Sequence, residues 1–418
     1  MQIEIITIGN EVLSGRTLDT NFAQIARALE EVSIQVGWHS TVGDTVERIG
    51  EALRTALGRA DGVIMTGGLG PTPDDVTRKA VATLLGRPLQ LNERVVESIR
   101  ARARQLNRKL PASVETMALI PFGATLLENP VGTAPGLLIE HQGRAVFLMP
   151  GVPQEMEAIL RDSVVPMLRD RSGLKVVTFT LRTSGTYESK LQEHIGNLPQ
   201  QWPYASLAYL PSYFGVDLRV TVAAPDSAET VRVAEKAYAE LRAVADPVLY
   251  AEGAMAMEDV VAARLLERRL KIAVAESCTG GLLAKRLTDT PGSSRYFERG
   301  YVTYSNESKT ELLGVAAADI AAHGAVSETV ALQMARGAAE RGRADVGVAI
   351  TGVAGPEGGT VDKPVGTVFV AVHDANGTVA RLLKMSGSRA AIRERATQTA
   401  LDMVRRRLEG LPLEGRLE

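Results

Sequence analysis

"KIAVAESCTGGLLAKRL", residues 271–287, sets an apolar, strand-like run against a glycine-rich turn and then a helical run. The chain's only cysteine, Cys278, stands in that turn beside Ser277, Gly280 and Gly281. A strand that runs through a short turn into a helix is the unit of α/β structure, and such folds carry their sites beyond the C-terminal ends of the strands. Free backbone N–H groups collect at a helix start and favour negative charge. A nucleophile placed there has donors for an oxyanion, and the two glycines admit close approach of a substrate. Either Ser277 or Cys278 can be that nucleophile. The simpler alternative is that Ser277 or Thr279 only caps the helix.

A nucleophilic serine needs a base. The chain has five histidines, and none sits in a motif that points to this turn; His323, the nearest, reads as a loop residue. A lysine of depressed pKa can take the role. The stretch "YVTYSNESKTELLGV", residues 301–315, offers one. "YVTY" ends a strand, Ser305 or Asn306 caps a helix, and Lys309 falls in the first turn, where the helix dipole disfavours a cation. Tyr304, at the strand end, is placed to orient the lysine or relay a proton. A third stretch, "AITGVAGPEGGTVDKPVGTVFVA" at 349–371, opens a strand ending at Thr351 into a loop with Gly352, Gly355, Gly358 and Gly359. Its backbone N–H groups suit a phosphate, although it lacks the ending of a Walker loop.

The same alternation runs through the first third of the chain, with strands expected at "QIEIITIG", "IQVGWHSTVG", "DGVIMTGG" and "GRAVFLMPGVP" and helical runs between them. This predicts a parallel sheet covered on both faces. Residues 171–253 read differently, as a small α+β domain with strands at "LKVVTFTLRTSG" and "FGVDLRVTVAAP". The chain then restarts near Met255 and closes on a long helix whose run of arginines predicts a solvated face.

A second glycine-rich stretch, "VIMTGGLGPTPDDVTRKAV" at 63–81, repeats the strand–turn–helix design. Gly67, Gly68 and Gly70 with the following helix start suit a phosphate. Asp74 and Asp75 are good helix caps, or ligands of a hard divalent cation beside a diphosphate. Glu11 and Asp44 follow other strands and would lie at the same sheet edge, so a metal set of Glu11, Asp44, Asp74 and Asp75 is expected. Loops at "NPVGTAPGLLIE", with Asn129, and "LMPGVPQEM" border the same edge.

Composition bounds the partners. A net charge of −2 on 418 residues gives no field for nucleic acid or an anionic membrane. One cysteine excludes an intrachain disulfide framework and a multi-cysteine zinc site, and a reducing cytoplasm is the simplest setting. The N-terminus, "MQIEIITIGNE", does not read as a signal peptide, and no apolar run reaches the roughly 18 residues of a spanning helix.

"AESCTGG", "YVTYSNESKTELLGV" and "TGVAGPEGG...KPVGTVFVA" together resemble the nicotinamide mononucleotide amidase domain of the competence/damage-inducible CinA family. The likeness covers roughly residues 255–412. It implies hydrolysis of the nicotinamide carboxamide to the acid with release of ammonia and no cofactor. In that family a serine, a lysine and a tyrosine carry the chemistry, which maps here to Ser277, Lys309 and Tyr304, with Cys278 a bystander. Thr279, Gly280 and Gly281 would then border the substrate, and Thr351, Gly352 and Gly355 would hold its ribose or phosphate.

The "GGLGPTPDD" stretch resembles the molybdopterin-binding fold of molybdenum-cofactor biosynthesis proteins, where the pattern carries a catalytic aspartate that maps to Asp75. Leu69 stands where that family often has threonine. Residues 1–170 as a whole look still more like the N-terminal domain of CinA proteins. That implies metal-dependent hydrolysis of ADP-ribose to AMP and ribose 5-phosphate. The middle segment is similar to a KH module but lacks the GXXG loop used on nucleic acid.

The expected architecture is therefore a three-layer α/β domain over 1–170, a KH-like α+β domain over 171–253 and an α/β amidase domain over 254–418. The expected protein is a cytoplasmic homodimer acting on small nucleotides, with a divalent metal for its first domain. Two other readings stand beside it: a molybdopterin-binding protein with an attached amidase, and a DNA-uptake or repair accessory protein.

Overall fold

The structure, a computed structural model, describes residues 1–105, 116–415 and 417. It divides into two compact units, Met1–Val176 with Ala223–Thr230, and Val177–Val222 with Val231–Glu418.

In the first unit the strand Gln2–Ile8 lies between Gln35–Val42 and Gly62–Thr66, and Arg144–Met149 follows on the far side of Gly62–Thr66. These four strands run parallel. Ile3 and Ile5 face one core while Ile6 and Ile8 face the other, as expected of a strand covered on both sides. Helices Thr20–Glu30 and Pro153–Ile159 bury Ile25, Leu29, Met156 and Ile159 on the first face. Helices Val46–Arg59 and Thr77–Leu84 bury Ile49, Leu53 and Val81 on the second. Each such side chain contributes about 1.5–3 kcal/mol.

The sheet is not wholly parallel, and here the sequence reading is corrected. Gly136–His141 pairs antiparallel with Arg144–Met149, and Thr125–Leu127 pairs antiparallel with Gly136–His141. The cause is the two-residue turn Gln142–Gly143, with φ of 48° and 80°, a left-handed pair that reverses the chain tightly.

The second unit contains two sheets. Ala205–Ser212, Gly215–Ala224, Lys175–Thr183 and Leu249–Glu252 form a four-stranded sheet in that order. Leu218 and Val220 pack there against Leu191 and Ile195 of helix Glu188–Ile195 and against Val233, Ala237 and Leu241 of helix Ser227–Ala245. This is the α+β arrangement expected of the middle segment.

The other sheet orders Phe297–Val302, Ile272–Glu276, Val346–Gly352, Thr367–Asp374 and Gly377–Lys384. Its first three strands are parallel and its last two antiparallel. Helices Met257–Arg268 and Arg389–Glu409 cover one face, and Glu328–Gly342 the other.

The arginines of the last helix correct a second expectation. Arg405 and Arg406 are each 3% exposed. Both donate to Asp402, and Arg405 also reaches Glu409. Spacings of three and four residues put these groups on one helix flank, and the paired fork geometry satisfies the buried charges. Here the run carries its own counter-ions at that spacing and is buried, not solvated. No helix among the described residues is long and apolar enough to cross a membrane.

Candidate functional site

Ser277 follows the fully buried strand Ile272–Glu276 and is anchored by its N–H to the carbonyl of Ile350, 2.9 Å away. The helix after the turn begins at Leu282, not at the serine, and neither Ser277 nor Thr279 caps it. The cap is Glu276. Its carboxylate accepts from the N–H groups of Gly281 (3.1 Å), Leu283 (3.0 Å) and Ala284 (2.8 Å). The helix start is therefore occupied, which corrects the expectation that it serves an oxyanion. Within the turn, Gly280 N–H donates to the carbonyl of Ser277 at 3.1 Å. The N–H groups of Cys278 and Thr279 donate to no backbone carbonyl among the described residues, and that of Cys278 lies against its own thiol.

Lys309 reaches this serine. Ser305 caps the helix Asn306–Leu313 by accepting from Ser308 N–H, and Lys309 is that helix's fourth residue. Its side chain is 1% exposed. The amine Nζ lies 3.3 Å from Ser277 Oγ and donates to the carbonyls of Thr303 (2.8 Å), Ser305 (3.3 Å) and Tyr304 (3.4 Å). No carboxylate forms an ion pair with it among the described residues. Burial pushes its pKa below the ordinary lysine value of 10.5, against weaker opposing pulls from Cys278 and Glu307. Among the described residues, Ser277 Oγ is the one hydroxyl within hydrogen-bonding reach of the amine. Burial drives the Cys278 thiol the other way, up to about 11. A thiol held protonated is a poor nucleophile.

Tyr304 stands differently from its expected place. It lies beyond the end of its strand at Val302 and is 60% exposed. Its hydroxyl bonds to Arg389 Nη2 at 3.0 Å, and it meets Lys309 through its carbonyl. Arg389 also donates to the carbonyl of Gly355 at 2.7 Å, and Arg393 donates to that of Thr279 at 2.5 Å. A Cβ at Gly280, whose φ is +57°, would sit 3.6 Å from the Arg393 guanidinium. These two arginines, one turn apart at the start of helix Arg389–Glu409, join the serine turn to the glycine-rich loop. The sequence reading missed them. Their signal is a cation, Arg389, in a first helical turn, where the dipole disfavours it, with Arg393 one turn on. Neither forms an ion pair among the described residues, and Arg393 Nε is buried without a partner. Thr351 is fully buried and spends its hydroxyl on the carbonyl of Ala325. Gly352 packs against Val368, where a Cβ would lie 2.7 Å from Val368 Cγ2.

The first unit holds a separate cavity of about 680 Å³ beyond the ends of its parallel strands. Gly67, Gly68, Gly70, Glu11, Asp44, Asp74, Asp75, Glu155 and Arg102 all border it. Gly67 has φ +110°, and a Cβ there would lie 2.2 Å from the carbonyl of Ile8. Only glycine lets the turn pass so close to the first strand.

The aspartates do not cap the helices that follow them. Helix Thr77–Leu84 has no side-chain cap, and Thr45 caps the helix after Asp44. Asp44 accepts from Asn10 N–H at 2.8 Å. Asp75 accepts from the N–H (2.8 Å) and hydroxyl (2.6 Å) of Thr72. Arg78, buried, donates to the carbonyls of Leu69 (2.5 Å) and Gly70 (3.1 Å); burial lowers its pKa and the Asp75 charge opposes that.

No three such groups come together as a metal-binding cluster among the described residues, so the four-ligand set is not assembled. Asn129 is spent on its own loop. Its amide donates to the carbonyl of Ala134 and to Glu155 and accepts from the N–H groups of Val131 and Gly132. Glu155, which the sequence reading missed, is the group that Asn129 presents at the cavity.

Three family descriptions match the chain: the CinA C-terminal domain over residues 254–408, a probable molybdopterin binding domain over 4–170 and the damage-inducible protein CinA KH domain over 178–251. A putative competence-damage inducible protein of Acetivibrio thermocellus is 42% identical over 406 residues, covering 97% of this chain and 98% of that one. A CinA-like protein of Gemmatimonas aurantiaca is 44% identical over 415 residues, covering 97% and 96%. Among solved structures, the protein CinA of unknown function from Thermoplasma acidophilum is 40% identical, covering 40% of this chain and 96% of that one, with a TM-score of 0.37.

Proposed function

Because this chain belongs to the CinA family, we propose that its C-terminal part hydrolyses the carboxamide of nicotinamide mononucleotide and that its N-terminal part hydrolyses ADP-ribose. The observation that carries the first activity is the buried Lys309 amine 3.3 Å from Ser277 Oγ, with no carboxylate to hold it charged.

In this reading neutral Lys309 takes the Ser277 proton as Oγ adds to the carboxamide carbon. The tetrahedral oxygen turns to the N–H groups of Cys278 and Thr279. Lys309 returns the proton to the nitrogen, the C–N bond breaks, and ammonia leaves. Lys309 then takes a proton from water as the water oxygen adds to the seryl ester, passes that proton to Ser277 Oγ as the C–O bond breaks, and the acid departs. Arg389 and Arg393 supply the unpaired positive charge for the nucleotide phosphate, so the phosphate's partners are these guanidiniums more than the glycine-rich loop. Tyr304 orders the site through Arg389. The test is ammonia release from nicotinamide mononucleotide. The unmodified chain is expected to release it and Ser277→Ala is not; equal release by both would refute the assignment.

For the first unit, the carboxylate-lined cavity beside a glycine turn supports a diphosphate substrate. Glu11 and Asp74 make no side-chain hydrogen bond among the described residues, and they are the carboxylates left to hold a divalent ion. Mg²⁺ commonly takes one or two carboxylates and completes its shell with water and phosphate oxygens. Such an ion would neutralise the diphosphate; Asp75 is the proposed base. AMP formation from ADP-ribose, lowered about 10²-fold in Asp75→Asn, tests this. Tight binding of a pterin without AMP formation would favour the molybdopterin reading.

A further inference from the structure

Glu276 adjoins the nucleophile and is 1% exposed. No cation forms an ion pair with it among the described residues. A buried carboxylate without a counter-ion is costly, and here three amides and the helix dipole offset the cost. Ordinary caps are short side chains at the residue before the helix. Glu276 instead reaches over the whole turn, from the last strand position to the N–H of Gly281, and so closes residues 276–281 into a ring.

That ring sorts the amides of the turn. Ser277 N–H goes to the carbonyl of Ile350, Gly280 N–H to that of Ser277, and Gly281 N–H to Glu276. Leu283 and Ala284 N–H, the strongest remaining donors of the helix start, are also taken by Glu276. What is left beside Ser277 Oγ is the pair Cys278 and Thr279. We infer that Glu276 is a positioning residue for catalysis. By occupying the helix start and clamping the turn, it presents the N–H groups of Cys278 and Thr279 to the tetrahedral oxygen. This rests on the amidase reading and adds to it a residue that touches neither substrate nor reacting atoms.

The experiment compares the unmodified chain with Glu276→Gln and Glu276→Asp in steady-state hydrolysis of nicotinamide mononucleotide, with thermal unfolding measured alongside. Glutamine keeps the shape but turns an NH₂ group either toward Ala284 N–H or toward those of Gly281 and Leu283, so the clamp loses at least one of its three bonds. Losing well-aimed oxyanion donors lowers kcat by about 10²-fold or more. Because the donors act in the transition state, kcat should fall with KM little changed. Binding of the product acid should be unaltered. A cap that only holds the fold together would lower the unfolding temperature and leave kcat of the folded enzyme as it was, and that result would overturn the inference. If Glu276→Gln does not fold, Glu276→Asp carries the same test. It keeps a charge at the helix start but cannot span the turn, and kcat is again expected to fall at constant KM. An unmodified chain without ammonia release overturns the amidase reading and this inference together. An active chain whose folded Glu276 variants keep full kcat overturns only this one.

Discussion

The cavity of the first unit and the serine site of the second are built from one local device: a buried strand, a glycine-rich turn and a helix. They differ in sign. Five carboxylates border the first, with Arg102 the single cation among its lining residues. The second gathers Lys309, Arg389 and Arg393, and its one buried carboxylate, Glu276, is spent on backbone amides. The difference lies in solvation. Carboxylates at the rim of an open cavity stay hydrated and keep their charge. A lysine sealed among carbonyls has lost its water and its charge becomes expensive, which in the proposed reading fits it to act as a base. Glycine turns of similar design thus sit in opposite electrostatic settings according to which charges the neighbouring elements bring.

The largest expected effect separates the two sites. Ser277→Ala should reduce ammonia release by on the order of 10⁴- to 10⁶-fold, and adding Lys309→Met should cost little more, since residues acting as one unit are not additive. ADP-ribose hydrolysis should be untouched in both. A double variant whose loss is the product of the single losses would show that the lysine does not act through the serine. The acid limb of the amidase pH profile reports Lys309. The neutral amine is the active form, so activity rises with pH through a pKa lying below the ordinary 10.5 that burial has lowered.

Asp75→Asn reverses the comparison. It should lower AMP formation from ADP-ribose by about 10²-fold, in the range expected for loss of a general base, and leave ammonia release unchanged. If both activities fell together, the two sites would not be the independent devices described above.

How much of this could be read from residues alone differs between the sites in a physical way. Ser277 and Lys309 were legible because each stands in a short motif at a strand or helix end. So were Gly67, Gly68 and the bordering carboxylates. Arg389 and Arg393 were not, because they reach the serine turn from more than a hundred residues away and their helix read as ordinary amphipathic surface. Glu276 carries a signal that was passed over: an acidic residue ending a fully apolar strand must find donors. The antiparallel edge of the first sheet was hidden by one two-residue turn, and the paired arginines of the last helix by counter-ions three and four positions away.

A smaller effect probes the charge difference itself. Arg393→Met removes a guanidinium that carries no ion pair among the described residues and has an unpartnered, buried Nε. A hydrogen bond to a charged group is worth about 1.5–3 kcal/mol, so kcat/KM for nicotinamide mononucleotide should fall by roughly 10- to 100-fold. Nicotinamide riboside, which has no phosphate, should be a poor substrate for the unmodified chain and change little in the variant. An equal loss on both substrates would place Arg393 in the architecture of the turn, through its bond to the Thr279 carbonyl, and not on the phosphate.

The smallest effect is expected at Cys278, and it bears on why the turn holds a serine and a cysteine side by side. The two side chains are consecutive, yet burial separates them. Ser277 Oγ lies against an amine that can accept its proton. The Cys278 thiol is 6% exposed, packs in the hydrophobic core with Leu283 and Ile350, and is pushed up to about 11. Near neutral pH it is a protonated apolar group. Cys278→Ala should therefore leave kcat and KM within a few-fold of the unmodified chain, with a modest loss of stability from the vacated volume. Iodoacetamide, which needs the thiolate, should inactivate the folded protein slowly, and faster as the pH is raised toward that pKa. Rapid alkylation at neutral pH with loss of ammonia release would mean that the thiol is ionised and open to solvent. The contrast between a sealed thiol and an activated hydroxyl would then fail at the turn on which the assignment of Ser277 depends.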